Sequence, residues 1–505
     1  MAKSSTAPSP APRHGRGRRR AAPTPLSKGR RALIWTASAL IFVLLLGGGY
    51  VVYNYFHFVG SVHKVDGALP DAGKAKTSSG ADENILIIGT DQRPANMTAA
   101  QYKQLSTTPD GGGINTDTMI LLHIPADGSS ATLVSFPRDS YVDIPGYSKN
   151  KINAAYADGY QSTTGTADQK NAAGVRVLAS TITQLTGLPI DHYVKVNLIG
   201  FYNIANALGP VDVCLKNPVN DHYSGAHFPA GPQKLNATQA LQFVRQRHGL
   251  PNGDFDRAVR QQYFLTVEAQ QVLSAGTLLN PVKLNTVIGA IGRSLETDSG
   301  LNMIQLAGKL KNLQASGIRS ATIPLANPRT STQEIGGLPL DVDNVDYDAM
   351  PDFIDSITGR PTTAQRIAKA AAAAPSAVTV DVLNGAGTAH GSSDAAAVLA
   401  TAGFHTGAPA DAPQTQHTTT IYVPAGDEAQ AKALLPYLPR AALVGTTTYK
   451  QLTIVLGTDG MTPTAPSQPS GVTTPTTAPS TAPTAAPTPT STPATNAYNA
   501  ATCID

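Results

Sequence analysis

The sequence predicts an α/β protein: a three-layer α/β/α sandwich, then a smaller α/β domain, both following a single transmembrane helix. Three observations carry this. Between residues 84 and 273, short apolar runs alternate with segments of helical periodicity, the pattern of helices packed on the faces of a sheet. A second, shorter alternation begins at VTVDVLNGAG, residues 378–387. Ahead of both, Ala32–Val52 is a run of 21 residues without a charge, long enough to cross ~30 Å of hydrocarbon.

The N-terminal segment sets the topology. Residues 1–31 hold nine of the 38 Lys and Arg and no acid, which leaves 29 basic against 34 acidic residues in the rest. A nucleic-acid binder is disfavoured, because the part that folds lacks a basic excess. Positive residues before the span and few after it place residues 1–31 in the cytoplasm as a disordered tail. Residues 32–56 are then the membrane helix, with Trp35 and Tyr53 at its ends. The expected location is the cell membrane, single-pass, with everything after about residue 57 extracellular. Residues 57–81 read as a linker.

The main domain is expected over 82–360. Asn84–Ile88 is a continuous apolar run, as in a central strand covered on both faces. It ends in Gly89-Thr90-Asp91, and Asp117 precedes a second strand, Met119–Ile124. Further strands are expected at Ala131–Phe136, Asp191–Val196 and Val211–Leu215. Helices are expected at Lys170–Thr186, Leu198–Leu208 and Arg257–Leu273, and roughly at Leu301–Gln314. Residues 361–376 read as an Ala-rich linker and 377–459 as the small α/β domain. Residues 460–505 are Thr, Pro, Ser and Ala-rich with no charge before Asp505, the composition of a disordered tail. A disulfide between Cys214 and Cys503 is possible outside the cytoplasm, although nothing in the sequence requires it.

The chemistry concentrates in TQALQFVRQRHGLPNGDFDRAVRQQ, residues 238–262. On a helix Arg257 and Gln261 share a face, with Arg260 beside them. Arg245 and Arg247 share one only if the chain there is extended. Forked guanidinium groups suit phosphate. The plainer reading is a solvated helix paired with its own carboxylates, Asp254 and Asp256. Asp91 and Asp117 stand at strand edges, and Arg93, Arg138 and Lys151 follow strand ends. Mg²⁺ takes few protein carboxylates and completes its shell with phosphate and water. There is no Walker loop, GxGxxG, G-x-S-x-G or HExxH motif. Diphosphate held by Mg²⁺ and Arg without a nucleotide loop, beside a bilayer, suggests a lipid-linked diphosphate.

The ordered blocks NILIIGTDQR (84–93), NTDTMILLHIP (115–125), SFPRDSYVDIP (135–145), KINAAY (151–156), TGLPIDHYVKV (186–196), ALGPVDVCL (207–215), LNATQALQFVRQRH (235–248) and GDFDRAVRQQ (253–262) resemble the LytR-CpsA-Psr family over residues 82–275. VDVLNGAGTAHG and the pattern after it resemble the LytR C-terminal-type domain of actinobacterial members. The resemblance implies transfer of a wall glycopolymer from a polyprenyl-diphosphate carrier to peptidoglycan, leaving a phosphodiester link. It implies Asp91 and Asp117 as Mg²⁺ ligands. It implies Arg138, Arg245, Arg247, Arg257 and Gln261 as the diphosphate-binding set, with Arg93 and Lys151 as further members. Arg138, Arg245, Arg247, Asp254 and Arg257 are the expected catalytic residues, and Asp254 and Asp117 the candidate bases. Many members carry Arg where this chain has Asn115.

A polyprenyl tail needs an apolar slot. Val175, Leu178, Ile182 and Leu185, with Phe201 and Ile204, are assigned to it, although the first four also have the spacing of a helix packed on a sheet. Two other functions fit the same residues: a hydrolase splitting the lipid diphosphate with water, and a non-catalytic wall-binding or regulatory membrane protein.

Overall fold

The computed structural model describes residues 56, 60–69, 81–93, 97–105, 107–278, 280–310, 313–466 and 496–505. The expected cytoplasmic tail and, apart from Phe56, the expected membrane helix lie outside the described residues. Among the described residues no helix is long and apolar enough to cross a membrane.

The main domain is mixed α/β. Its central sheet has seven strands: β1 (His63–Val65), β2 (Glu83–Thr90), β3 (Thr116–Ile124), β4 (Ala131–Ser135), β5 (His192–Asn197), β6 (Leu295–Asp298) and β7 (Ile318–Thr322). Their spatial order is β1-β6-β5-β2-β3-β4-β7. The apolar strand β2 lies in the middle, parallel to β5 and antiparallel to β3.

Alternation along β2 separates two layers of helices. Leu86 and Ile88 face α1 (Ala154–Ser162) and α2 (Ala167–Thr186), sharing a core with Tyr156, Val175, Leu178 and Ile182. Ile87 faces the other side, where α3 (Leu198–Leu208), α4 (Ala237–Arg245) and α5 (Asp254–Val272) pack. Helix α2 starts at a capping box between Thr166 and Gln169 and stops at Gly187 with φ 71°, the left-handed C-terminal stop that glycine favours.

This layering corrects the lipid-slot expectation. Val175, Leu178 and Ile182 are 0% exposed in the core behind the sheet, and Leu185 packs against that core. A stripe on a helix shows that it packs; it does not show which face of the sheet carries the site.

The segment expected as a linker, 361–376, is folded. It carries α7 (Thr363–Lys369), which follows α6 (Met350–Ile357). Ile367 is fully buried in the core of the second domain. Asp352 of α6 accepts hydrogen bonds from the backbone of Thr363 (2.6 Å) and of Gly445 (3.1 Å). Arg366 pairs with Asp355 and Glu428. The second domain's strand Thr379–Asn384 runs parallel to Leu452–Leu456.

The expectation of a disordered tail over 460–505 also needs correction at its end. Residues 496–505 return to the main domain. Asn496 exchanges backbone hydrogen bonds with Ser320 of β7 (2.8 and 2.7 Å). Tyr498 stacks edge-on against Tyr263 of α5, with ring centroids 5.6 Å apart. Cys503–Ile504 pairs in parallel with the strand Val211–Leu215, and Cys503 is disulfide-bonded to Cys214. Composition hid this because one tyrosine, one isoleucine and one cysteine do the anchoring within an otherwise polar stretch.

Candidate active site

The ends of β2 and β3 open onto a cavity of about 330 Å³ between the sheet and α3, α4 and α5. Its inner wall is apolar, with Ile87, Val196, Phe201, Leu241, Val244 and Leu265. Its polar wall carries Asp91, Asp117, Arg245, Arg247, Arg257 and Gln261. A smaller cleft beside it is lined by Arg138 and Asp254, and shares Asp117, Thr118, Arg257 and Gln261 with the cavity. The shared residues stand where the cavity's polar wall, with Arg245, Arg247 and Arg257, meets the Arg138–Asp254 cleft.

Local sequence builds this wall. Helix α4 ends at Arg245, and Gln246 is extended (φ −60°, ψ 135°). Arg245 and Arg247 therefore flank an extended residue, and both reach the cavity. Gly253 (φ 55°) turns the chain into α5. One turn later Arg257 and Gln261 lie on the same face. The Gln261 side chain ties that face to the sheet: its oxygen accepts from the Thr118 hydroxyl (3.0 Å), and its amide donates to the Val244 carbonyl (3.2 Å). Gly112 is required where it stands. Its φ is 72°, and a Cβ there would sit 1.8 Å from the Asp91 carbonyl oxygen.

Asp254 is the hub of the cationic side. It meets Arg257 (3.0 Å), Arg138 and Arg247. Arg138 also donates to Asp117 (2.8 Å). Burial works to depress the Arg138 pKa, but Asp117 and Asp254 outweigh it and hold the group firmly protonated. At Arg257 and Arg245 burial prevails, lowering both below the ordinary arginine value. Those two guanidinium groups lie where desolvation strengthens attraction to an anion.

Other expected residues are placed less directly. Arg93 lines neither cavity. It grips Asp91 with two nitrogens (3.2 and 2.6 Å) and also pairs with Asp110. Lys151 pairs with Asp139 (2.8 Å), itself 3.5 Å from Arg138, so it stands one carboxylate away from the cleft. Arg260 points away from the site: its Nε donates to the Asp505 carbonyl (2.8 Å), and its guanidinium sits 4.9 Å from the Phe243 ring centroid. Of the two further residues assigned to the lipid slot, Phe201 lines the cavity and Ile204, one turn on, does not. Asn115 is exposed at the start of β3.

Sequence reasoning missed most of the apolar wall. Leu241 precedes Arg245 by four positions on the same helix, and that spacing to a site arginine was the available signal; Val244, one position away, had none. It also missed Asp221, Tyr223 and His248, brought to the cavity by the hairpin Val219–Asp221/Ala226–Phe228 and by the residues after Arg247. No motif marks these.

Asp91 and Asp117 suit a divalent cation. Both are partly exposed carboxylates on neighbouring strands, facing one cavity. The buried hydroxyls of Thr90 and Thr116 beside them have no hydrogen-bond partner. Among the described residues no group of three or more His, Cys, Asp or Glu side chains could hold a metal. Two carboxylates plus phosphate and water match the habit of Mg²⁺.

Known proteins place the chain. Residues 52–349 match the LytR_cpsA_psr family, and residues 377–459 match the domain described as LytR cell envelope-related transcriptional attenuator. The cell wall biosynthesis protein LcpA of Corynebacterium glutamicum is 36% identical over 335 residues, covering 63% of this chain and 64% of that protein. Less than two thirds of that relative's length is therefore matched. The polyisoprenyl-teichoic acid–peptidoglycan teichoic acid transferase TagU of Bacillus anthracis is 31% identical over 278 residues, covering 53% of this chain and 79% of that protein. Among solved structures, Bacillus subtilis TagV superposes with a TM-score of 0.41 at 22% identity, covering 55% of this chain and 98% of that one. With the family match spanning more than half of its length, the chain belongs to the LytR_cpsA_psr family.

Proposed function

We propose that this protein is a membrane-anchored extracellular phosphotransferase that moves a glycopolymer from a polyprenyl-diphosphate carrier onto peptidoglycan. One observation carries the proposal: a single cavity combines an apolar wall (Ile87, Val196, Phe201, Leu241, Val244, Leu265) with a polar wall carrying Asp91, Asp117, Arg245, Arg247, Arg257 and Gln261. A lipid chain fits the first, at ~0.8 kcal/mol for each CH₂ buried. A diphosphate fits the second, where paired guanidinium donors match its oxygens. Homology supports the same reading, since TagU carries polyisoprenyl-linked teichoic acid and peptidoglycan in its name.

In the proposed reaction a muramic-acid hydroxyl attacks the phosphorus that bears the glycan. A P–O bond forms to the acceptor oxygen, whose proton passes to a base, Asp254 or Asp117; the phosphoanhydride bond breaks, and polyprenyl phosphate leaves with its electron pair. Arg245, Arg247 and Arg257 bind the diphosphate and hold it in line, Gln261 fixes that helix face against β3, and Arg138 steadies Asp117. Asp254 keeps Arg138, Arg247 and Arg257 converged. Mg²⁺ held by Asp91 and Asp117 would supply further charge neutralisation at the diphosphate. The 21-residue apolar run and the basic residues before it support a single-pass anchor with the site outside.

The test is a cell-free assay with lipid-linked glycan and peptidoglycan oligomers. Glycan on the oligomer, dependent on both substrates, is the expected result. Release of free glycan phosphate at the same rate without acceptor would make the protein a hydrolase instead.

A further inference from the structure

One long hairpin stands clear of the central sheet at the end where the cavity opens. Its strands, Leu325–Ile335 and Leu338–Val345, form a two-stranded antiparallel sheet of their own. It follows β7, whose last residue, Thr322, pairs with Ser135 of the cleft. Helix α5 gives the direction. Gln262 donates to the Ala321 carbonyl (2.7 Å), and one turn later the Thr266 hydroxyl lies 3.3 Å from that of Ser320. Helix α5 therefore runs antiparallel to β7, and its first turns lie beyond the strand ends. Phe255, seven residues before Gln262, is ~10 Å further out at the helical rise of about 1.5 Å per residue. The Arg329 guanidinium sits 5.1 Å from the Phe255 ring centroid. The hairpin has thus cleared the sheet by Arg329, and its tip, six residues on, reaches up to ~20 Å beyond that.

The tip is apolar on one face. The register pairs Ile335 with Leu338, Gln333 with Leu340 and Ser331 with Val342. Ile335, Leu338, Leu340 and Val342 therefore share a face. Val342, at the root, is 1% exposed, whereas Leu338 is 62% and Leu340 37% exposed. Thr332, Glu334 and Asp341 lie on the other face, where the Thr332 hydroxyl donates to Asp341 (2.7 Å). Residues 335–340, IGGLPL, carry no charge, and residues 330–346 hold no Lys or Arg. The stem is fixed to the domain and to itself. The Asp343 backbone donates to the Asp139 carbonyl (2.8 Å), and the Ser331 hydroxyl donates to Asn344 (2.8 Å).

We infer that residues 335–340 dip into the surface of the lipid bilayer and hold the cavity against the membrane from which its lipid substrate comes. This rests on the membrane-anchored, lipid-diphosphate reading of the protein. Three features coincide at this end of the sheet. The cavity opens there, at the paired strand ends Thr90 and Asn197. The chain enters the main domain there: His63 pairs with Glu296, next to the Leu295–Val196 pair, and the apolar run ends eleven residues earlier, at Val52. The hairpin points beyond it. A few apolar side chains suffice on a protein that is already tethered, because the second contact is then intramolecular. A second copy of the chain fits less well, since two such tips face to face fall far short of the ~800 Å² per partner of a specific interface. With no basic residue at the tip, the contact is apolar and does not depend on anionic lipid. Glu334 and Asp341, flanking the tip, confine it to the headgroup boundary, because burying a carboxylate in hydrocarbon is costly.

The full chain in phosphatidylcholine vesicles provides the test. Its two cysteines are joined in the disulfide, so Leu338→Cys offers one free thiol for a fluorescent dye. Lipids carrying a quencher near the headgroups are expected to quench that dye about twofold more than a dye at Thr332→Cys on the polar face, equally at about 50 and 500 mM salt. Adding Leu340→Asp should remove most of the difference. Without any dye, Leu338→Asp/Leu340→Asp should raise the KM for a vesicle-embedded polyprenyl diphosphate several-fold. It should leave the KM for a short-chain soluble analogue and the melting temperature unchanged. Equal quenching at the two positions, on protein that floats with the vesicles, overturns the tip contact and leaves the anchor standing. Quenching between dyes that rises with protein density, with none from lipid, makes this face a contact between copies instead. Protein that does not float with the vesicles overturns the anchor, and the tip contact with it.

Discussion

Arg257 donates to Asp254 at 3.0 Å across one turn of the same helix, and that carboxylate also meets Arg138 and Arg247. An ion pair along a helix surface is worth only ~0–1 kcal/mol when exposed. This one is not exposed: Arg257 is 7% accessible and lines the cavity. The contact that a structural reading of Arg257 expects is present, and so is the placement that a catalytic reading expects.

Turnover and stability distinguish the two roles. Removing one electrostatic donor from a transition state costs roughly 10²–10³ in rate. Arg257→Ala is expected to lower transfer by about that factor, and Arg257→Lys to recover part of it, because an ammonium cannot present a paired fork. Melting temperature is measured alongside. A variant that transfers normally but melts earlier would make Arg257 a purely structural partner of Asp254.

The sequence announced the charged half of this site better than the apolar half. Asp91, Asp117, Arg245, Arg247, Arg257 and Gln261 all reach one cavity, because strand ends and a short extended break after α4 leave few other places for them. Helix Leu198–Leu208 and strand Val211–Leu215 have the bounds their apolar pattern indicated. The lipid slot was misplaced because a periodic stripe records burial and not which side of a sheet is buried. Val175, Leu178 and Ile182 satisfy their pattern fully, on the far face. Asp221 and Tyr223 went unseen because their place at the cavity depends on a hairpin folding back across some 25 residues onto Arg247 and His248, a tertiary contact with no local signature.

The proposed Mg²⁺ site is tested at the two strand-end carboxylates. Asp91→Ala or Asp117→Ala should abolish Mg²⁺-stimulated transfer and weaken Mg²⁺ binding in the presence of a lipid diphosphate, measured by calorimetry. The fold should survive, since each side chain is partly exposed. The variants should differ in one respect: loss of Asp91 removes a partner of Arg93, whereas loss of Asp117 removes a partner of Arg138 in the cleft. A variant with wild-type Mg²⁺ dependence removes that aspartate from the metal site.

Glu268, on α5 away from the cavity, predicts a pH effect on stability. It is buried, its Oε1 has no hydrogen-bond partner, and burial pushes its pKa up to about 8. The raised folded value means the native state binds the proton more tightly than the unfolded chain does. Stability from this group is present below the unfolded carboxyl range and is lost as pH rises towards about 8. Glu268→Gln keeps the shape and removes the titration. The variant should therefore gain melting temperature over wild type at pH 8 and little at pH 4.5. Parallel curves for the two proteins across that range would show that the native state does not hold the Glu268 pKa above its unfolded value.

The last prediction concerns the end of the chain. The Cys214–Cys503 disulfide closes a separation of 289 residues and fixes the strand Cys503–Ile504 beside Val211–Leu215. With that strand in place, the Asp505 carbonyl accepts from Arg260, and the Asp505 side chain pairs with Lys216. Arg260 is almost wholly buried, and burial lowers its pKa to about 10. Freeing the segment would leave part of that guanidinium without an acceptor, which adds to the lost crosslink. A crosslink of this kind contributes about 2–4 kcal/mol. For a domain of this size that corresponds to roughly 5–10 °C in melting temperature. Reduction, or Cys503→Ser, is expected to lower the main domain's transition by that amount and leave the second domain's transition where it was. Arg260→Met separates the two contributions. If the crosslink acts partly by seating Asp505 on Arg260, reduction should cost less in this variant than in wild type. Equal losses in both would mean that the disulfide acts as a crosslink alone, and no loss in wild type would mean that the segment is not docked in solution.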